Sequence, residues 1–236
     1  MSYNIKHGVG NDDSLALARS LAVIQVQDPD LLALQEIDHL AKRSNSVDQT
    51  AYFSEALRME GQFGQFMDFQ GGAYGMATFS ALPVKSTQVL NLPDGKFEPR
   101  SSTILEVELN SEASILFANV HFDWISGEDG QATRTAQAQA LIDHLNGFEL
   151  PVVITGDFNC KPDSPTMQLF YDAGFVFADK GEDRMSFQLE DHAEIDHVIY
   201  RNTEDAQVTV RQIDLLDEPL VSDHRPLIAV LEITLR

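Results

Sequence analysis

Apolar positions along the chain fall into two kinds of pattern. Leu31-Leu32-Ala33-Leu34 and residues 152–155 are short continuous apolar runs, too brief for ordinary helices, so they read as strands covered on both faces. Further strands are expected near 75–80, 87–92, 102–109, 115–121, 195–200, 207–213 and 227–235. Residues 1–5 read as the tail of a strand that is either short or continues upstream. Helical spacing shows in Leu15, Ala18, Leu21 and Ala22, behind the capping residues Asn11, Asp12, Asp13 and Ser14. A second helix fits 49–59. A third fits 133–145, with Ala136, Ala140, Leu141 and Leu145 on one side. Strands dominate, but helices interrupt them early and midway. The simplest arrangement is an α/β (α+β) sandwich of two packed sheets with helices outside. No linker, repeat or low-complexity run divides residues 1–236, and one domain is expected.

Polar residues interrupt this pattern at strand ends. Asn4, Glu36, His121 with Asp123, Asp157 with Asn159, Asp196 with His197, and Asp223 with His224 each close an apolar segment. Any one of them has an ordinary explanation: a solvated Glu, an Asx turn, a surface ion pair. Together they are costly to bury unless paired or metal-bound, and one shared site at a sheet edge accounts for all of them. Glu36, Asp157 and Asp223, with the amides of Asn4 and Asn159, are hard oxygen donors suited to Mg²⁺ or Mn²⁺. No cysteine and histidine spacing resembles a structural zinc site. A carboxylate that activates water and a histidine held by an aspartate are the parts of a phosphoester hydrolase. His197 lies opposite Asp196 on a strand and reads as solvent-facing or structural.

Composition narrows the partners. Sixteen Lys and Arg against 37 Asp and Glu give a formal net charge of −21, which disfavours a protein that grips long nucleic acid with its whole surface. Hydrophobic residues at 43 % and charged residues at 22 % are ordinary globular proportions. The single cysteine, Cys160, rules out an intramolecular disulfide and reads as a packing residue. No run is long enough for a membrane span, and no basic and apolar leader opens the chain. A cytoplasmic location and a monomer are expected, with secretion left open by the abrupt N-terminus.

The same motifs resemble the endonuclease/exonuclease/phosphatase superfamily, with its DNase I-like fold. Ser2-Tyr3-Asn4-Ile5, Leu34-Gln35-Glu36, Gly75-Met76-Ala77-Thr78-Phe79-Ser80, Asn119-Val120-His121, Gly156-Asp157-Phe158-Asn159, Ile195-Asp196-His197-Val198 and Ser222-Asp223-His224-Arg225-Pro226 follow its order. The resemblance implies a four-layer αββα sandwich of two mixed β-sheets. It implies Glu36 as main metal ligand with Asn4 beside it, and Asp157 orienting or activating water with support from Asn159. It further implies His121 on the phosphate, Asp196 orienting His224, His224 stabilising the transition state, and Asp223 as a further metal or water contact. Some nucleases of the family carry an acid where this chain has Lys6, which favours the phosphodiesterase or phosphatase branch. Arg43, Arg100, Tyr74 and Trp124 are the substrate-binding candidates: two guanidiniums for phosphate, and two aromatics near the cleft. The expected function is divalent-metal-dependent hydrolysis of a small or lipid-type phosphate ester. A Mg²⁺- or Mn²⁺-dependent nuclease is the alternative, and a non-catalytic binding protein of the same fold is a second.

Overall fold

A computed structural model describes residues 1–189 and 192–235. Two six-stranded sheets stack face to face. The first contains β1 (Ser2–Asn4), β2 (Leu31–His39), β3 (Glu60–Phe69), β4 (Gly72–Ser80), β11 (Ala206–Leu215) and β12 (Leu227–Leu235), in the order β11-β12-β1-β2-β4-β3. The second contains β5 (Val84–Asn91), β6 (Ser101–Glu108), β7 (Ser114–His121), β8 (Val152–Asp157), β9 (Val176–Phe177) and β10 (Asp196–Arg201), in the order β5-β6-β7-β8-β10-β9. Each sheet is mixed: β1 pairs parallel with β2 and β7 parallel with β8, while the other pairs are antiparallel. Helices α1 (Leu17–Gln27) and α2 (Gln49–Leu57) cover the first sheet; α3 (Gly127–Leu145) and α4 (Pro165–Asp172) cover the second.

The alternation of side chains along each strand explains the layers. In β2, Leu32 and Leu34 pack under the helices with Ile24 and Phe53, while Ala33 faces the other sheet. In β7, Leu116, Ala118 and Val120 point to the helices, and Ile115 and Phe117 point between the sheets. The four-layer expectation therefore holds. Gly156 has φ 145°, and a Cβ there would collide with the carbonyl of Val120, so glycine lets β8 lie against β7.

Three local expectations are corrected. Asn11 to Ser14 do not cap a helix: α1 begins at Leu17 with no side-chain cap, and Asp12 instead accepts from Ser14 N and pairs with Arg19. Strand β3 and helix α4 have no counterpart in the sequence pattern. β3 carries Gly61, Gly64 and two glutamines, and its apolar residues do not alternate. α4 is short, although Ser164 caps it and Pro165 opens it.

Candidate active site

The functional side chains share the parity of the inter-sheet core. Asn4, His121, Asp157 and Asp196 stand on the strand faces that carry Ala33, Phe117, Val153 and Val198 further down. They form the polar end of the layer between the sheets. Register sets them side by side: His121 lies opposite Asp157 on β8, and Asp157 opposite Asp196 on β10. Glu36 has the wrong parity, because Gln35 already faces inward. A β-bulge between Gln35 and Ile37, with Glu36 at φ 58°, turns its carboxylate back towards the others.

Below the site the two sheets are joined by buried amides. Gln35 Nε2 donates to Asn119 Oδ1 at 2.7 Å, and Asn119 Nδ2 donates to the carbonyls of Leu34 and Ala77. Ser102 Oγ donates to Asn119 O, and Thr78 shares a hydroxyl contact with Thr103.

At the centre, Asp157 Oδ2 accepts from Asn4 Nδ2 at 3.2 Å and lies 3.6 Å from both His121 Nε2 and His224 Nε2. Its Oδ1 accepts from Asn159 N at 2.9 Å, a contact made with Asn159 in the left-handed region at φ 51°. His224 Nδ1 pairs with Asp196 Oδ2 at 2.8 Å. Ser222 fixes that loop by donating to Asn4 O and accepting from His224 N. Asn4 Nδ2 also donates to Glu36 Oε1 at 3.1 Å, so it bridges the two carboxylates, while its Oδ1 accepts from Lys6 N. Asn4 thus turns nitrogen rather than oxygen towards Glu36 and Asp157. Asp223 sits at the rim, with Oδ2 3.5 Å from Lys6 Nζ.

Charges in this buried cluster strongly perturb one another. Burial and the charge of Asp196 push the Asp157 carboxyl up to about 7, against the pull of His224, Asn159 and Asn4. Burial alone would lower His224, but Asp196, Asp157 and Asp223 raise it to about 10, so it is an imidazolium at neutral pH. Burial, then the charge of Arg100, holds His121 well below the usual histidine range. Burial would raise Glu36, yet His7, His121, Asn4 and His224 together hold its carboxyl well below the usual range.

Asp157, Asp196 and His224 offer ligand atoms within 4.8 Å of one another. Asp196 and His224 satisfy each other, however, which leaves Asp157 as the open donor of that trio. The donor set that fits a hard cation is Glu36 with Asp157: two carboxylates joined through Asn4, with no lysine or arginine among the described residues paired to either.

The substrate-binding candidates separate. Arg43 is not a free phosphate fork: Nε and Nη2 both donate to the buried Asp38 at 2.8 Å, and its guanidinium covers the rings of Phe69 and Tyr74. Arg100 is buried, pairs with Glu98 through Nη2, and leaves Nε and Nη1 without hydrogen-bond partners among the described residues. It stacks on Phe66, whose ring meets Tyr74 and His121 edge-on, so Arg43, Tyr74, Phe66 and Arg100 form one wall leading to His121. Trp124 is 55 % exposed and lines an open cavity of about 380 Å³ beside Asn159 and Lys161. His197 proves structural: it is buried, with Nε2 on Cys160 O and Nδ1 on Lys180 Nζ. Cys160 is buried too, and burial pushes its thiol up to about 11, as suits a packing residue.

Three residues escaped the sequence reading. His7 lies against Glu36, with Nδ1 3.7 Å from Oε2. Asp38 anchors Arg43, and Gln49 ties Asp38 N to His7 O through one buried amide. Their only signals were adjacency: His7 three residues after Asn4, Asp38 two after Glu36.

Two mixed sheets whose shared edge carries paired carboxylates, an amide bridge and an aspartate-held histidine define a hydrolase of phosphate esters. Residues 1–224 match the Endonuclease/Exonuclease/phosphatase family, and the chain belongs to it; it is a phosphoester hydrolase. No curated protein sequence matches the chain. Among solved structures, an endonuclease/exonuclease/phosphatase from Beutenbergia cavernae DSM 12333 is similar at TM-score 0.82 and 20 % identity, over 98 % of this chain and 70 % of that one. The human Nocturnin catalytic domain with bound sulfate gives 0.73 and 21 %, over 98 % and 93 %. D. rerio TDP2 complexed with a single-strand DNA product gives 0.75 and 16 %, over 98 % and 97 %. These likenesses concern the fold. No described helix is long and apolar enough to cross a membrane.

Proposed function

We propose that this chain, as one domain, is a Mg²⁺- or Mn²⁺-dependent hydrolase of a small phosphate ester, cleaving a P–O bond by in-line attack of water. One observation carries the reading: three nitrogen groups converge on Asp157 Oδ2, and one of them belongs to an imidazolium held by Asp196. Asp157 takes or steers the proton of the attacking water, with Asn159 N fixing its other oxygen. At 3.6 Å, His121 Nε2 and His224 Nε2 are beyond direct hydrogen-bond reach of Asp157 Oδ2, so both can turn to an oxygen placed beside the carboxylate. His224 donates through Nε2 to the phosphoryl oxygen as charge develops, and Asp196 keeps the ring charged and oriented. His121 donates to the same phosphate. Arg100, with two nitrogens unpaired, meets an oxygen of the substrate from the aromatic wall. Glu36 and Asp157 would hold the divalent cation, which when bound supplies charge neutralisation at the phosphate.

The −21 charge supports a small substrate over a long polyanion. A nuclease is the second reading, because the similar TDP2 structure carries a single-strand DNA product. A panel of phosphomonoesters, phosphodiesters, nucleotides, phospholipids and plasmid DNA with Mn²⁺ separates the two. Turnover of a small ester, abolished in Asp157→Asn and His224→Ala, is the expected result. Full activity in both variants would overturn the site assignment, and nicking of DNA alone would replace the substrate class.

A further inference from the structure

His7 and Glu36 are among the non-glycine residues in left-handed backbone, at φ 45° and 58°, and their side chains converge. Such conformations persist only where the surroundings enforce them, and they cluster at working sites. The enforcement is visible. Gln49, buried at the start of α2, donates from Nε2 to His7 O at 2.8 Å and accepts Asp38 N at 2.9 Å on Oε1. One amide therefore clamps both the turn bearing His7 and the strand just past the Glu36 bulge.

The result of this clamp is an unusual atom. His7 Nδ1 is buried and makes no hydrogen bond, although buried ring nitrogens normally find a partner. It lies 3.7 Å from Glu36 Oε2, longer than a hydrogen bond. Two donors each about 2.1 Å from one ion stand at most about 4.2 Å apart, so this separation is within the span of a shared cation. Glu36 Oε1 is turned the other way, to Asn4, leaving Oε2 and Nδ1 facing each other.

We propose that His7 Nδ1 is a nitrogen ligand to the cation that Glu36 holds, and that it makes the site select first-row transition cations over Mg²⁺. The proposal rests on the reading of Glu36 as a cation ligand. Mg²⁺ prefers oxygen donors and retains its waters, whereas Mn²⁺ and Co²⁺ accept imidazole readily and in the order of their general affinity for nitrogen sites.

The test is calorimetric titration of chelator-stripped protein with MnCl₂, CoCl₂ and MgCl₂, with the visible spectrum of the Co²⁺ form recorded alongside. His7→Asn keeps a side chain that tolerates left-handed backbone. It is expected to weaken Mn²⁺ and Co²⁺ binding about tenfold or more and to change the Co²⁺ spectrum. Mg²⁺ affinity should stay within about twofold. Equal losses for all three cations, or no loss at all, would overturn the proposal and reduce His7 to a prop for Glu36. Should His7→Asn fail to fold, pulsed EPR of Mn²⁺ bound to the unaltered protein reads nitrogen coupling directly, and its absence overturns the proposal equally. Glu36→Gln is the control on the underlying reading: it should weaken all three cations, and undiminished binding there would reject the cation site itself rather than the part played by His7.

Discussion

The two sheets bring different backbone to one site. On the second sheet, β7, β8 and β10 run in unbroken register, and His121, Asp157 and Asp196 stand in a row on adjacent strands. On the first sheet the ladder is interrupted at Gln35/Ile37 and again at Gln65/Met67, and Lys6, His7 and Glu36 occupy left-handed conformations. The regular half holds Asp157 and, one strand over, Asp196, the carboxylate that orients the His224 imidazolium, at distances that must not vary. The irregular half presents Glu36, whose direction a plain strand could not provide. Bulges re-aim single side chains at a local cost. On the proposed reading, regular strands fix Asp157 and Asp196, and the bulge swings Glu36 across from the other sheet to meet Asp157 at the cation.

The sharpest way to break this contrast is Asp157→Asn. Turnover should fall by about 10³- to 10⁴-fold, in keeping with loss of a general base. The melting temperature should hold or rise, because a buried carboxylate beside Asp196 is removed. Steady-state kinetics with a thermal melt checks both, and a protein that loses fold along with activity would move Asp157 from chemistry to scaffolding.

Gln49→Leu addresses the other half. It strands His7 O and Asp38 N, costing about 3 kcal/mol and lowering the melting temperature by roughly 6–12 °C. Cation affinity by calorimetry should fall about tenfold while the spacing of His224 and Asp196 is untouched. Unchanged affinity would show that the bulge holds its shape without the clamp.

His197 tests the far face of β10. Burial, then the Lys180 charge, lowers it to about 3 from 6.5. The unfolded chain therefore binds this proton more readily than the native one. Its contribution to stability is full above pH 6.5 and is lost as pH falls from 6.5 towards 3. Melting temperatures of His197→Gln between pH 7 and pH 4 should decline less steeply than those of the unaltered protein. An identical slope would mean that other groups govern acid unfolding.

Arg43→Lys has the smallest expected effect. A lysine cannot reproduce the fork on Asp38 or the cover over Phe69 and Tyr74. A loss of about 1–2 kcal/mol in stability, with KM within about threefold, marks Arg43 as scaffold. A large rise in KM at unchanged stability would give it a hand on substrate after all.

Legibility in the sequence followed the same divide. Asn4, His121, Asp157 and Asp196 could be read because each ends a regular strand, where parity alone decides the facing. The two-sheet sandwich was legible for the same reason: apolar runs of strand length cannot be buried singly. Glu36 was found by its motif, not by periodicity, since the bulge that aims it leaves no trace in the apolar pattern. His7 and Gln49 were missed because their parts depend on a loop, a helix start and a bulge meeting in space. The pairing of Arg43 was not legible because Asp38, buried beneath it, becomes its partner only once β2 and the following turn are folded together. Strand β3 was missed because its apolar residues, Phe63, Phe66, Met67 and Phe69, do not alternate, an irregularity tolerated at the sheet edge.

The amide joint of Gln35 and Asn119 bears on how accurately the enzyme can be assembled. Glu36 and Asp157 ride on separate sheets, and a purely greasy interface between sheets would let one glide over the other with little penalty. Side-chain amides have direction and fixed reach, so they act as a locating key: one alignment pairs Gln35 Nε2 with Asn119 Oδ1 and Asn119 Nδ2 with Leu34 O and Ala77 O, and a slipped one leaves them stranded. Misplacement by about 1 Å at reacting groups can cost about a hundredfold in rate. The tolerance of the catalytic gap is thus set a layer beneath it, by groups that never meet the substrate.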